Sequence, residues 1–267
     1  MPYIAVTALS DIGLVREHNE DSLAAGPWTL CATVTENPQT LLFPLGTPLV
    51  VAVADGLGGQ PAGEVASALV ARRLAALGPG LDGEQAVRDA LDLCNHSVYA
   101  AAEADPKLTA MGTTVAGAVV LPDSVLVFNV GDSKVYEVGE PAQPEQKEAG
   151  GERAEAGVRR LRQLSVDDSP LPAPGRRTTS AVTQTLGGQL SRTPISAHVS
   201  RSPLAVGDRW LICSDGLTDP VPDEELDELL RTHDGGRAAY ELWKAAIESG
   251  GPDNITLALI RIGAGTG

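Results

Sequence analysis

The chain has 267 residues, of which 43% are hydrophobic, and its 35 acidic against 20 basic side chains give a formal net charge of −15. A field of that sign repels polyanions and excludes a nucleic-acid partner, and no apolar run approaches the roughly 18 residues that a membrane-spanning helix needs. The opening Met1-Pro2-Tyr3-Ile4 lacks the basic and apolar segments of a secretory signal, so a cytoplasmic protein away from membranes is expected, folded as a single domain over residues 1–267.

In chain order, Tyr3 to Leu9 predicts a strand, a turn with Asp11 and Gly13 follows, and residues 28–34 form a second strand candidate. Residues 35–47, with Pro38, Pro44 and Gly46, read as a loop. The run Leu49 to Ala54 is short, apolar and β-branched, the pattern of a fully buried strand. Val65, Ala66, Leu69, Val70, Leu74 and Leu77 recur at helical spacing until Gly78, and Ala86, Val87, Ala90, Leu91, Cys94 and Val98 mark a second helix between Asp82 and Pro106. Strands are predicted at Thr114 to Leu121, Val125 to Val130, Lys134 to Val138, Ile195 to Val199, Trp210 to Cys213 and Ile255 to Ile262, with helices over 222–231 and 236–249. Helices that cluster apart from strands argue for α+β rather than an alternating parallel sheet. The expected architecture is a four-layer α-β-β-α sandwich with two central antiparallel sheets. Residues 139–157 hold four glycines, two prolines and five glutamates and predict a disordered insertion, because such a stretch buries too little surface to offset its ordering entropy.

Cys31, Cys94 and Cys213 are too far apart for a zinc or disulfide framework and read as small hydrophobes, and the four histidines form no spacing that suggests a triad. The aspartates are more informative. Asp82-Gly83 and Asp234-Gly235 sit in polar connections and read as turns, but Asp55-Gly56 and Asp215-Gly216 each directly follow an apolar strand. Gly131-Asp132-Ser133 follows a third, and Asp253 precedes a fourth. If those strand ends converge, the carboxylates crowd at the edge of a low-dielectric core, where they repel one another and resist desolvation. Hard divalent cations would relieve that, Mg²⁺ or Mn²⁺ before Zn²⁺, and Gly56 would let a backbone carbonyl approach one of them. Between Gly13 and Asp21, the alternatives are a solvated turn or a loop in which Arg16 grips a phosphate while Glu20 and Asp21 hold metal-bound water, with His18 facing solvent.

Seven motifs occur in a familiar order: Gly13-x-Val15-Arg16-x-x-Asn19-Glu20-Asp21, Asp55-Gly56-Leu57-Gly58-Gly59, Gly63-Glu64-x-Ala66-Ser67, Met111-Gly112-Thr113-Thr114, Val130-Gly131-Asp132-Ser133, Ser214-Asp215-Gly216-Leu217-Thr218-Asp219 and Asp253-Asn254-Ile255-Thr256. In this the chain resembles the bacterial-type metal-dependent Ser/Thr protein phosphatases of type 2C, the PPM family. The resemblance implies hydrolysis of phosphoserine and phosphothreonine by a metal-activated water, with two tightly bound Mn²⁺ or Mg²⁺ ions and room for a third. It places Asp55 between two metals with the Gly56 carbonyl on one of them, gives Asp215 and Asp253 to the first metal and Asp132 to the third, and sets Glu20 and Asp21 in or near the metal shell. Arg16 would bind phosphate, Asn254 would shape the loop that holds Asp253, and the Gly112-Thr113-Thr114 segment would be structural. The implied partners are phosphorylated proteins and an opposing Ser/Thr kinase, with the phosphatase itself a monomer.

The sequence departs from the family at Leu57 and Gln60, where histidines often stand, and its flap region near 165–190 matches only loosely at Asp167-Asp168-Ser169. Leu57 implies that leaving-group protonation falls to water or is not needed. Arg159, Arg160, Arg162, Arg176 and Arg177 near the flap are either a surface for phosphopeptides or merely solvated. Two rival functions are an inactive phosphoprotein-binding module, which would be expected to lose Asp55, Asp215 or Asp253, and a phosphatase of small phosphate esters.

Overall fold

The computed structural model describes residues 2–59, 62–139, 161–173, 178–179 and 181–265. Gln60, Arg159, Arg160, Arg176, Arg177 and residues 140–157 of the expected insertion lie outside them.

Among the described residues, fifteen strands and five α-helices succeed one another. They begin with β1 (Tyr3–Asp11), β2 (Ser22–Ala25), β3 (Trp28–Cys31), β4 (Gln39–Pro44), β5 (Leu49–Ala54) and β6 (Gly56–Leu57), followed by the helices α1 (Ala62–Leu77) and α2 (Glu84–Ala104). The middle of the chain forms β7 (Gly112–Thr113), β8 (Val115–Val120), β9 (Ser124–Val130), β10 (Lys134–Val138), β11 (Arg162–Gln163), β12 (Leu186–Gly187), β13 (His198–Pro203) and β14 (Arg209–Cys213). Three helices, α3 (Asp215–Thr218), α4 (Asp223–Thr232) and α5 (Gly235–Glu248), precede the last strand, β15 (Ile255–Gly263).

One six-stranded sheet has the order β11-β10-β14-β15-β1-β4 and the other β13-β9-β8-β5-β2-β3, with antiparallel pairing throughout. The pair α1 and α2 covers the second sheet, and α3 to α5 cover the first. The four-layer α-β-β-α expectation is therefore met. Period-two alternation builds three cores from these layers. Along β5, Val50, Ala52 and Ala54 face α1 and α2, while Leu49, Val51 and Val53 face the opposite sheet. Along β15, Ile255, Leu257 and Leu259 face the helices, and Ala258, Ile260 and Ile262 face between the sheets.

Residues 35–47 are not all loop. Gln39–Pro44 is an edge strand on β1, with Leu41 and Phe43 packed inward and Leu42 exposed. Its flanking prolines mask the alternation, and proline is compatible with a sheet edge. The strand expected at 195–199 lies at 198–203, paired with β9. No helix among the described residues is long and apolar enough to cross a membrane.

Candidate metal centre

Antiparallel pairing brings the carboxylates together. Pairing of β14 with β15 sets the C-terminal end of one beside the N-terminal end of the other, so Asp215 and Asp253 are neighbours at one end of the first sheet. In the second sheet, the end of β5, the start of β2, the start of β8 and the end of β9 lie at a common edge by the same rule, which brings Asp55, Asp21 and Asp132 there. The two edges meet. Asp55 feels the charges of Asp21, Asp215, Asp253 and Asp132 together. The strand ends that the sequence left open do converge.

Each acid is held by its own chain neighbourhood. The Asp55 carbonyl accepts from the Thr114 amide at 2.9 Å and the Thr113 hydroxyl at 2.7 Å, so the Gly112-Thr113-Thr114 segment clamps the turn that presents Asp55. Thr114 Oγ1 also meets Ser133 Oγ at 2.7 Å, joining that turn to the one carrying Asp132. Asp21 is 1% exposed, and Ser214 donates to its Oδ2 at 2.8 Å while Ser214 Oγ accepts from the Thr256 amide at 3.0 Å. One serine thus ties the entry of β2 to the exit of β14. Asn254 donates to the carbonyls of Ile12 and His18, both at 2.9 Å, and accepts from the Glu20 amide at 2.8 Å, so it staples the whole 12–20 loop. Gly56 has a packing reason of its own, since an added Cβ would overlap the Gly63 carbonyl and stand 2.6 Å from that of Glu20. Arg16 extends over the cluster and donates to Asp253 Oδ2 at 2.6 Å, and His18 is exposed.

The electrostatics are those of a site built for cations. Burial, with Asp132, Asp219 and Asp253 nearby, pushes Asp215 up to about 8, and burial raises Asp21 to about 7 against the pull of its hydrogen bonds from Ser214 and Thr256. Asp132 rises to about 6 through burial, opposed by Lys134, and Asp55 is held well above the usual carboxylate range by burial and then by its acidic neighbours. Burial raises Glu20 as well, opposed by Arg16. Asp21 Oδ1 and Asp215 Oδ1 are buried without any hydrogen-bond partner. Buried anionic oxygens without donors are costly, and divalent cations would satisfy them.

No group of three acidic, histidine or cysteine side chains among the described residues is already closed around a single point. Mg²⁺ keeps several of its waters, so a site for it need not be closed by side chains alone. The donors are all hard oxygens, with no cysteine or histidine among them, so the residues present fit the two ions expected.

Arg162, counted among the flap arginines, points elsewhere: its guanidinium donates to Glu137 at 3.0 and 2.6 Å on the neighbouring strand β10. Sequence reading missed Ser214 as the partner of Asp21. It also missed Asp168, which accepts from the Gly131 amide at 2.9 Å while its own amide donates back to the Gly131 carbonyl at 3.0 Å. The acidic pair Asp167-Asp168 was visible as a motif, but its contact with the Asp132 turn, across more than thirty residues, was not.

Residues 44–242 match the family described as Protein phosphatase 2C. The serine/threonine protein phosphatase PstP of Mycobacterium tuberculosis is 33% identical over 258 residues, covering 94% of this chain and 43% of PstP, so the chain spans less than half of that relative. A serine/threonine phosphatase of Listeria monocytogenes is 29% identical over 94% of this chain and 93% of its own length. Among solved structures, the catalytic domain of PstP in complex with two manganese ions superposes with a TM-score of 0.73 at 30% identity, covering 99% of this chain and all of that one.

Proposed function

The chain belongs to the protein phosphatase 2C family, and from that premise we propose that it is a metal-dependent protein phosphatase that hydrolyses phosphoserine and phosphothreonine. The observation that supports this most is the apposition of Asp21, Asp55 and Asp215, with two carboxylate oxygens buried and unpartnered.

Asp55, the Gly56 carbonyl, Asp215 and Asp253 are the groups that would hold two Mn²⁺ or Mg²⁺ ions, with Glu20 and Asp21 beside them. Bound there, the ions would supply Lewis-acid charge and bring a coordinated water's pKa from ~15.7 toward ~7. The chain's own residues do the rest. Ser214, Thr113, Thr114 and Asn254 fix the carboxylates in place, so the site is preorganised before substrate arrives. Arg16 stands at the open side of the cluster beside Asp253, where its planar fork can take phosphate oxygens. Leu57 stands where the family often has a histidine, and His18 faces solvent, so protonation of the leaving oxygen falls to water or is not needed. The partners proposed are phosphorylated proteins and the kinase that opposes this enzyme, and the proposed state is a cytoplasmic monomer.

A panel of phosphoserine and phosphothreonine peptides tests the reading. Phosphate should be released with Mn²⁺ and not in excess EDTA, and equal release in both would contradict it. Arg16→Ala removes a charge-assisted contact that acts mainly on substrate binding. KM for phosphopeptide should rise about tenfold while Mn²⁺ affinity stays unchanged. Steady-state kinetics alongside metal titration check this, and wild-type KM would reduce the loop to a solvated turn.

Asp132 lies on a separate turn, 5% exposed, and is proposed to serve a third, loosely held ion. Asp132→Ala should keep the fold and the two tight metals yet lose about a hundredfold in kcat, the scale of removing one electrostatic stabiliser. Turnover at the wild-type rate would make Asp132 only a turn residue, and loss of tight metal would place it in the central pair.

A further inference from the structure

Beside the carboxylate cluster the structure opens a cleft of about 500 Å³ between the segment around Asp167 and the helices α3 and α4. Asp132, Asp167, Asp215, Asp219, Asp223 and Glu224 line it, against one cation among the described lining residues, Lys134, which is already paired with Asp167. Asp132 and Asp215 face both the cleft and the metal centre, so the two are continuous.

A concentration of acid is not in itself a site, but the cleft wall also carries an unmet hydrogen-bonding group. Thr218 lines it, is 3% exposed, and its Oγ1 has no partner. Thr218 is three residues from Asp215 on α3 and therefore on the same helical face. A cationic group with several N–H donors, long enough to reach in from a substrate seated at the metals, is one that both the hydroxyl's lone pairs and the surrounding carboxylates can accept from.

We propose that this cleft is a subsite for a basic side chain of the substrate, so that phosphopeptides with arginine or lysine within a few residues of the phosphorylated position are favoured over those with glutamate there. The inference rests on the protein-phosphatase reading and adds a selectivity to it. The acidic cleft also supplies a steering field for such a peptide that the net charge of −15 alone would spread over the whole surface.

The test compares matched phosphothreonine peptides carrying arginine or glutamate two or three residues to either side of the phosphate, with an aryl phosphate assayed in parallel. The Mn²⁺-loaded wild type should favour an arginine peptide over its glutamate partner by about tenfold in kcat/KM, mostly through KM. In Glu224→Lys, an exposed position in the cleft wall, that ratio should fall toward one. In Glu228→Lys, one turn further along α4 and outside the cleft, it should stay as in wild type. Because each ratio is taken within one variant, differences in folded or metal-loaded fraction cancel. Equal rates for the two peptides in the wild type, or a ratio unchanged in Glu224→Lys, would overturn the subsite while leaving the phosphatase reading intact. Hydrolysis of the aryl phosphate with no phosphopeptide cleaved would overturn the phosphatase reading and the subsite with it.

Discussion

Asp55→Asn is expected to lose at least about a thousandfold in kcat/KM toward any phosphate ester, because the charge stabilisation supplied by the metals is worth several kcal/mol at ~1.4 kcal/mol per decade of rate. Asp55 sits within the fields of Asp21, Asp215, Asp253 and Asp132 together, so its charge is the one shared by the whole centre. The same substitution should act on stability with the opposite sign. Without metal, the raised carboxyls of Asp55, Asp215 and Asp21 mean that the folded chain retains protons which the unfolded chain has released above about pH 4. Their contribution to stability is present below that pH and is lost as pH rises through about 7 and about 8, the folded values of Asp21 and Asp215. Removing one charge from the cluster relieves part of that loss. In EDTA at pH 8 the variant should be more stable than wild type by on the order of 1–3 kcal/mol, and the advantage should shrink toward pH 4. Thermal melts across pH, read beside phosphate release, measure both effects, and a variant destabilised in EDTA at pH 8 would show that the acids are not crowded in the way described.

Gly216→Ala is expected to be nearly as damaging by a purely steric route. Gly216 follows Asp215 in the single turn of α3, and a Cβ there would overlap the Asn254 carbonyl oxygen. The obstacle is backbone, so no side chain can swing aside, and relief requires moving either Asp215 or the Asp253-Asn254 loop. Asn254 also holds the 12–20 loop, so a shift there displaces Glu20 and Arg16 as well. Overpacking of this kind costs about 1–3 kcal/mol or more, which for a domain of this size lowers Tm by about 2–12 °C. Mn²⁺ affinity should fall together with activity. Calorimetric melting and metal titration check the pair, and a variant with native Tm and native affinity would mean the close approach is not maintained in solution.

How far the sequence disclosed this arrangement depends on distance along the chain. The strands carrying Asp55, Asp132, Asp215 and Asp253 were legible because each is an apolar run that begins or ends beside an acid, and the alternation along β5 and β15 is the alternation seen in their packing. Short or diluted elements were not. The four residues Ser22–Ala25 are too few to carry a periodic signal, yet they form a buried inner strand, and the alternation of Gln39–Pro44 is hidden by Pro38 before it and Pro44 at its end. What fixes the acids was least legible. Ser214 meets Asp21 across 193 residues and Asn254 meets His18 across 236, and no local pattern marks such partners. Family likeness named the carboxylates and gave Asn254 the loop that holds Asp253, but only the folded chain shows that Ser214, Thr113 and Thr114 hold the acids and that Asn254 also holds the 12–20 loop.

Isothermal titration of Mn²⁺ into the metal-free chain tests the central claim most directly, that this carboxylate cluster is a two-metal centre. Wild type should bind two ions tightly per chain, and Asp55→Asn, folded and at least as stable in EDTA, should lose tight binding at both. A wild type that takes up no Mn²⁺, or an Asp55→Asn variant that still binds two ions with wild-type affinity, would contradict it.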